Sequence, residues 1–469
     1  MMKPIAVLGA GLAGLTAAAE LKRRGLPAIV FEAGRSVGGM AASFKDAEGF
    51  SYDYGAHFIS NRLAKALGAE DICRTVRHYG EAVVVNGRSR SHPFGLMLEP
   101  RYVASALKSR FARRDEGPAR HAEDWMRRSY GDAMAEEVAM PLVEAWSGAP
   151  ACELSPSVGE KFGNSIFKSL YLNAAAKVTQ RAVCNGYTRT MPEGAGVYHV
   201  YPEGGLAKLL EPTLRKLNGA VRLESPVERI LVDKGRVVAV RSGGAEVPVS
   251  AVISTAPVNV LPRIVEGTDA LAPMAAFRYR PMMFVNLRFS GRAILPDTMV
   301  WVPDRSQLSF RLTEAPISMP WLAPEGKTLI TFDIGCEKGD ARWSMSDEDL
   351  AKACLDQLCA IYGEELRARY LGAGGTIRTP ISYPVYLKAY EEQRLRFGQS
   401  TGVQGLYSVG RNGEFAHILM EDVFWRTIRR MDDVARYVGG TEAGGRPGFS
   451  LGQGLSAIGL GGASLTQAA

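Results

Sequence analysis

The chain opens on an uninterrupted apolar run, Ile5-Ala6-Val7-Leu8. A run this short and this apolar predicts a strand buried on both faces in a parallel sheet. Gly9, Gly11 and Gly14 follow in GxGxxG spacing, and then a helix-period pattern through Arg24. Gly14, Ala17, Ala18 and Leu21 share one helical face, and their small size lets that face lie close to a sheet. Lys22, Arg23 and Arg24 occupy the last turn, where cations suit the helix dipole, and Gly25 closes the helix. Ala28-Ile29-Val30-Phe31 predicts a second strand, ending at Glu32.

Further along, Tyr201 to Leu206 opens a helix through Leu217. A β-rich stretch follows: Val227 to Val232, Arg236 to Arg241 and Val247 to Thr255, with Lys234-Gly235 and Gly243-Gly244 as hairpin turns. Strands are also predicted at Met282 to Phe289, Thr298 to Val302, Gln307 to Arg311 and Thr328 to Ile334. The segment 66–190 reads as helical, with Asp124 to Gly131 leading into Ala135 to Trp146. Near the end, Gly405 to Arg411 reads as strand then turn. Met420 opens a helix with Val423, Thr427, Met431, Val434 and Val438 on one apolar face. The fold class is α/β, α+β overall, built on a Rossmann-like unit.

With 469 residues, 46% hydrophobic and 22% charged, the chain is globular and long enough for two or three domains. The net charge of +7 permits an anionic ligand or membrane surface but gives no concentrated stripe of the kind nucleic acid requires. The six cysteines include no CxxC pair and the six histidines show no ligand spacing. We therefore expect no metal site, and buried free thiols in a reducing, cytoplasmic setting. Met1-Met2-Lys3 and the following apolar residues imitate a secretory signal, but the three glycines and the strand after Gly25 account for them better. No run of about 20 apolar residues predicts a spanning helix. Residues 101–128 carry eight basic and four acidic side chains, a solvated helical face or a contact for anionic lipid or substrate. Phe449 to Ala469 has no charge and is rich in Gly and Ser, a flexible tail or a weak membrane contact.

The glycines and the acid have separate tasks. Gly9 permits the tight turn, Gly11 lets backbone approach a pyrophosphate, and Gly14 allows helix–strand contact. The helix N-terminus offers N–H groups to phosphate, and Glu32, 18 residues beyond Gly14, can accept from a ribose diol. A second glycine pair lies in Arg35-Ser36-Val37-Gly38-Gly39-Met40, and Tyr52-Asp53-Tyr54-Gly55-Ala56-His57-Phe58 follows.

This N-terminal pattern resembles the FAD-binding region of the flavin-containing amine oxidase superfamily, which includes protoporphyrinogen oxidase, phytoene desaturase and UDP-galactopyranose mutase. The resemblance implies FAD as cofactor. It places Gly38 and Gly39 along the diphosphate, Gly55, Ala56 and His57 near the isoalloxazine, and the Val227 backbone at the adenine. It also implies that the helix begun by Met420, Glu421, Asp422 and Val423 aims its N-terminus at the flavin pyrimidine, beside the Gly410-Arg411 turn. Ala13, Ala33 and Met40 are expected among the cofactor-binding residues with them. The expected organisation is a discontinuous FAD-binding domain (1–65, 191–265 and 371–438) interwoven with a mixed substrate domain (66–190 and 266–370), a β-sheet floor plus a helical part. A flexible Gly-rich tail (439–469) completes the chain.

No second complete GxGxxG follows a strand, and Gly372 to Gly375 is not followed by an apolar helix pattern. A dedicated NADPH domain is therefore not expected, and electrons leave to oxygen, a quinone or another carrier. The expectation is a FAD-dependent oxidase or dehydrogenase/desaturase acting on a small hydrophobic or amine-like molecule, with the flavin carrying the organic chemistry. Candidate catalytic residues are His57, whose ordinary pKa suits proton transfer, Tyr386, whose phenol could enter the pocket, and Arg411. Gly410-Arg411 with Met420-Glu421-Asp422 is also similar to the C-terminus of UDP-galactopyranose mutase. That similarity implies an alternative, redox-neutral chemistry on a nucleotide sugar. A non-catalytic flavin-bearing binding protein is the third reading.

Overall fold

Ile5–Leu8 lies at the centre of a five-stranded sheet, flanked by Ala28–Phe31 and Ala251–Ser254, with Val221–Arg222 and Leu406–Ser408 outermost. Every pairing is parallel. A strand here can be apolar throughout because both faces are covered: Ile5, Ala6 and Val7 are wholly buried. The computed structural model describes residues 2–112, 117–161 and 166–440. The expected tail therefore lies outside the described residues from 441 onward, as do residues 113–116 of the basic run.

Helix Leu12–Arg23 crosses over the parallel sheet, and the long helix Met420–Val438 packs against it. Arg24 links the two, bonded to Glu20 at 2.7 Å and to Asp432 at 2.8 Å. Strands from four distant chain segments thus meet in one sheet. Because chain direction is common to all five, the turns at their C-terminal ends gather on one edge, where ligands bind in such sheets.

A four-stranded sheet (Ala245–Pro248, Arg236–Ser242, Val227–Asp233, Val265–Glu266) lies beyond it. Its first hairpin turns at Lys234 and Gly235, both at positive φ, the twist that two-residue hairpins favour. The predicted strand Val247 to Thr255 is two strands, because the chain leaves this sheet after Pro248 and enters the parallel one at Ala251.

The third large sheet has seven strands, in the order Tyr370–Pro384, Tyr279–Ser290, Lys327–Gly335, Arg311–Thr313, Met299–Trp301, Glu81–Val85 and Arg88–His92. Alternation along Tyr279–Ser290 divides its two faces. Met282 and Phe284 join Tyr102, Met126, Val143 and Trp146 of the helical part, whereas Met283, Val285 and Leu287 join Leu350, Cys354 and Leu358 of helix Asp347–Tyr362.

This sheet redraws three expectations. Residues 371–384, assigned above to the FAD-binding domain, form its edge against Tyr279–Ser290. The hairpin 81–92 lies inside the segment read as helical. The strand expected at Gln307 to Arg311 starts only at Arg311, because Ser309 turns inward to bond Gln357. The helix expected from Leu206 is a 3-10 turn, Leu206–Leu210, before helix Glu211–Leu217. All six cysteines are free; four are buried, Cys73 is half-buried and Cys152 is exposed. Among the described residues, no helix is long and apolar enough to cross a membrane.

Candidate flavin and substrate site

The glycine turn separates two reasons for glycine. A Cβ on Gly14 would stand 1.9 Å from the Gly9 carbonyl oxygen, and one on Gly9 would stand 2.2 Å from Thr255 Oγ1. Packing within the chain excludes a side chain at both. Gly11 differs: its φ is −80° and the nearest atom to an added Cβ is the Gly38 carbonyl oxygen at 3.6 Å. The fold itself therefore does not require glycine there, and bare backbone at the helix N-terminus suits a phosphate brought against it.

Glu32 closes this end. Its carboxylate accepts the Ala10 N–H and the Gly34 N–H, each at 2.7 Å. Gly38 donates to the Ala10 carbonyl at 2.9 Å and bridges Gly11, so the two glycine pairs lie side by side. Gly39 and Met40 begin the short 3-10 turn that follows, and Ala33 is exposed just past Glu32. Ser225 donates to the Glu32 carbonyl at 2.8 Å, which brings Val227 to the same edge. Gly410, at φ +83°, backs onto Ala13; a Cβ there would lie 2.8 Å from the Ala13 Cβ. The C-terminal turn and the N-terminal glycine turn are thus in contact.

At the other end, Gly55 meets the seven-stranded sheet. A Cβ on Gly55 would stand 2.8 Å from Phe284 and 3.2 Å from the Arg311 guanidinium. Arg311 is ion-paired with the fully buried Asp333 and lies 5.3 Å over the Trp301 ring. Burial opposes its charge, but Asp333 outweighs that and leaves the Arg311 pKa raised. Trp301 donates to Glu81 at 2.7 Å, and Tyr79 donates to the same carboxylate. Burial works against the charged form of Glu81; His92, Tyr79 and Trp301 overcome it and hold the pKa near 2.

His57 follows Gly55 and Ala56, with Nδ1 buried, without a hydrogen-bond partner, and 4.0 Å from Asp53 Oδ2. Burial first, then the guanidinium groups of Arg411 and Arg311, push its pKa down to about 4. The imidazole is neutral near pH 7, which removes the ordinary pKa on which the sequence argument for proton shuttling rested. Burial pushes Asp53 up to about 6 despite hydrogen bonds from Tyr201 and Ser43. A small cavity of about 20 Å³ opens here, lined by Tyr52, Gly55, His57, Phe58, Met319 and Leu322 among others.

Arg411 lies with its guanidinium carbon 4.6 Å from the Tyr383 ring centre, and its Nε is buried without a hydrogen-bond partner. Tyr386 is elsewhere. Its ring stacks on Phe415, its oxygen accepts the His417 N–H at 2.8 Å, and it belongs to the apolar core that includes Phe397 and Leu406. The structure therefore brings His57 and Arg411 together and does not bring Tyr386 to them; Tyr383 stands beside Arg411 instead. Tyr383 lies within the strand Tyr370–Pro384 and Tyr386 lies beyond its end, so the two rings are set by different local backbone.

Helix Met420–Val438 starts at the same place, but its acidic side chains point elsewhere. Buried Glu421 accepts from Ser60 Oγ at 2.8 Å and pairs with Arg62. Buried Asp422 accepts from Thr188 Oγ1 at 2.6 Å and from the Arg189 and Thr190 amides. These carboxylates fasten chain segments; what Met420, Glu421 and Asp422 present at the helix end is backbone N–H, whereas the Val423 N–H donates to the Leu419 carbonyl at 3.0 Å.

A glycine turn at a helix N-terminus, an acid at a strand end and a buried, polar far end fit a long dinucleotide whose two halves need different surroundings. This arrangement defines a dinucleotide-binding protein. The sequence matches the family model for flavin containing amine oxidoreductase over residues 12–424, and the chain belongs to that family. It is 22% identical over 438 residues to the chloroplastic/chromoplastic 15-cis-phytoene desaturase of Glycine max, covering 87% of this chain and 75% of the relative. It is 24% identical over 451 residues to protoporphyrinogen oxidase 2 of Arabidopsis thaliana, covering 83% and 85%. In fold it is similar to a reduced UDP-galactopyranose mutase, with TM-score 0.77, 18% identity, and coverage of 93% of this chain and 97% of that one. The protein is a FAD-dependent oxidoreductase.

Proposed function

We propose that the protein oxidises a small hydrophobic or amine-like substrate by hydride removal, bound beside the place where the segment Gly55–Phe58 meets the seven-stranded sheet. The observation that carries this reading is that the charged groups on the floor are engaged internally and surrounded by rings. Arg311 is paired with Asp333, and the Glu81 carboxylate accepts hydrogen bonds from Tyr79 and Trp301. Phe58 stacks edge-on against Tyr79 at 4.5 Å, and its N–H donates to Tyr187 at 2.9 Å. Such walls reward apolar contact and offer little to a second net charge.

When bound, FAD supplies the two-electron acceptor for the hydride, and oxygen, a quinone or another carrier takes the electrons onward. Residues 9–14, Glu32 and the pair Gly38-Gly39 would hold the adenosine diphosphate; Gly55 to His57, Arg411 and the helix end at Met420 would flank the ring. Arg411 contributes fixed positive charge in a dry setting, where charge stabilisation is strongest. His57, neutral, offers its unpartnered Nδ1 to a bound group rather than a charge.

The Gly410-Arg411 turn and the likeness to UDP-galactopyranose mutase support a second reading, a redox-neutral rearrangement of a nucleotide sugar. Anaerobic incubation separates the two. Bleaching of the flavin absorbance by an apolar or amine substrate alone supports oxidation. Turnover of a nucleotide sugar only after dithionite reduction, with no net electron consumption, overturns it in favour of the second reading.

A further inference from the structure

Residues 186–191 form neither helix nor strand, yet each of their six consecutive amides donates to a side-chain oxygen. Gly186, Tyr187 and Thr188 donate to Glu193, whose side chain is fully buried. Arg189 and Thr190 donate to Asp422, at 3.0 and 2.9 Å. Met191 donates to Thr188 Oγ1 at 3.3 Å, and that hydroxyl in turn donates to Asp422 at 2.6 Å. An irregular segment usually meets its backbone needs with water or its own carbonyls. Here the shape of the segment is set by two carboxylates, one of them on the first turn of helix Met420–Val438. At its other end the segment reaches the opposite side of the site: the Phe58 N–H, next to His57, donates to Tyr187 Oη at 2.9 Å. Arg62 adds a third tie, donating to the Pro192 carbonyl at 2.8 Å while paired with Glu421.

We propose that residues 186–193 are a strap that fixes the spacing between Gly55–Phe58 and the start of helix Met420–Val438, with Thr188 as its positioning residue. The proposal rests on the placement of the flavin ring given above, between those two segments. Moving the helix start alone would strip three donors, the Thr188 hydroxyl and the Arg189 and Thr190 amides, of their shared acceptor. Leaving buried donors unmet is costly, so helix start, strap and Phe58 amide move as one. The spacing matters because a helix N-terminus favours negative charge only within about its first turn. A two-electron acceptor beside it gains negative charge on reduction, so the strap governs how strongly the reduced form is held.

The test measures the FAD reduction potential of the full-length holoprotein anaerobically against a dye of known potential, with no substrate present. Thr188→Val removes the hydroxyl, Thr188→Ser keeps it, and Tyr187→Phe removes the acceptor at the far end. Thr188→Val and Tyr187→Phe should each weaken binding of reduced FAD about tenfold more than oxidised FAD, lowering the potential by about 30 mV. Thr188→Ser should leave the potential in place. The double variant Tyr187→Phe/Thr188→Val should fall no further than the lower of the two single ones, since both release the same strap. An unchanged potential in Thr188→Val, an equal fall in Thr188→Ser, or additive falls in the double variant overturns the proposal. Should Thr188→Val fail to fold, Tyr187→Phe decides, and an unchanged potential there overturns it. No substrate turns over in this experiment, so its failure leaves the hydride-removal reading standing, and a substrate that fails to bleach the flavin leaves the strap standing.

Discussion

The Arg411 guanidinium lies 4.6 Å above the Tyr383 ring, joining the C-terminal turn of the parallel sheet to the edge strand of the seven-stranded one. The contact joins the parallel sheet to the seven-stranded one at the place proposed above for the flavin ring. A cation over an aromatic face is held without being neutralised, so its charge remains available to the site. Replacing Arg411 with Ala should lower kcat by about 100-fold while shifting the melting temperature little. Steady-state kinetics, thermal unfolding and the flavin spectrum, measured together, check this; unaltered kinetics and spectrum would reject the role.

Gly14 and Gly11 should fail differently. Gly14→Ala places a methyl where the Gly9 carbonyl already is, and should cost about 3 kcal/mol or more of stability or prevent folding. Gly11→Ala meets only ordinary contacts and should leave the apoprotein as stable as before while losing FAD affinity. Denaturant unfolding of the apoproteins and FAD titration distinguish the two. Equal losses of stability would refute the distinction.

Glu32 both shapes the turn and faces the expected ribose. Glu32→Ala removes the acceptor of the Ala10 and Gly34 amides, and should weaken FAD retention by roughly 1–3 kcal/mol. Equilibrium dialysis or fluorescence of released flavin measures it. Unchanged affinity would count against the role.

Asp53 and His57 should oppose one another in pH dependence. Between about pH 4 and 6, native Asp53 keeps a proton that an unfolded aspartate has lost, so it alone makes stability fall as pH rises. Native His57 lacks a proton that an unfolded histidine holds from about pH 4 to 6.5, so it alone makes stability rise with pH. Together they nearly cancel. Relative to the unaltered protein, Asp53→Asn should therefore gain stability with rising pH across this window, and His57→Gln should lose it, each by on the order of 2–3 kcal/mol. Urea unfolding at pH 4.5 and 6, values chosen inside the roughly two-unit window, reads the difference. Parallel curves for all three proteins would contradict the two shifted values.

The unit from Ile5 to Glu32 was legible because every local rule there agrees. A continuous apolar run, glycines at fixed offsets, small residues on one helix face and a terminal acid need only their near neighbours to be interpreted. The helix from Met420 was legible for the same reason, by its apolar period. The seven-stranded sheet was not legible in full. Its strands include Arg88–His92, with no apolar alternation, and Tyr370–Pro384, whose glycines hide a strand that exists through pairing with Tyr279–Ser290. Edge strands of this kind are set by their partners more than by their own propensity.

The same division runs through the site. The spacing of the glycine turn, between an apolar strand and a helix and followed by a strand-end acid, was by itself enough to point to a dinucleotide, because each part of that pattern is local in sequence. Tertiary structure alone decided the rest. Arg311 and Asp333, 22 positions apart, become one buried pair beneath Gly55; Tyr383 rather than Tyr386 turns to Arg411; and the acids at Glu421 and Asp422 are spent on Arg62 and on residues 188–190. Each of these depends on which distant group lies within a few ångströms, and charge, burial and hydrogen bonding at that range are properties of the packed chain.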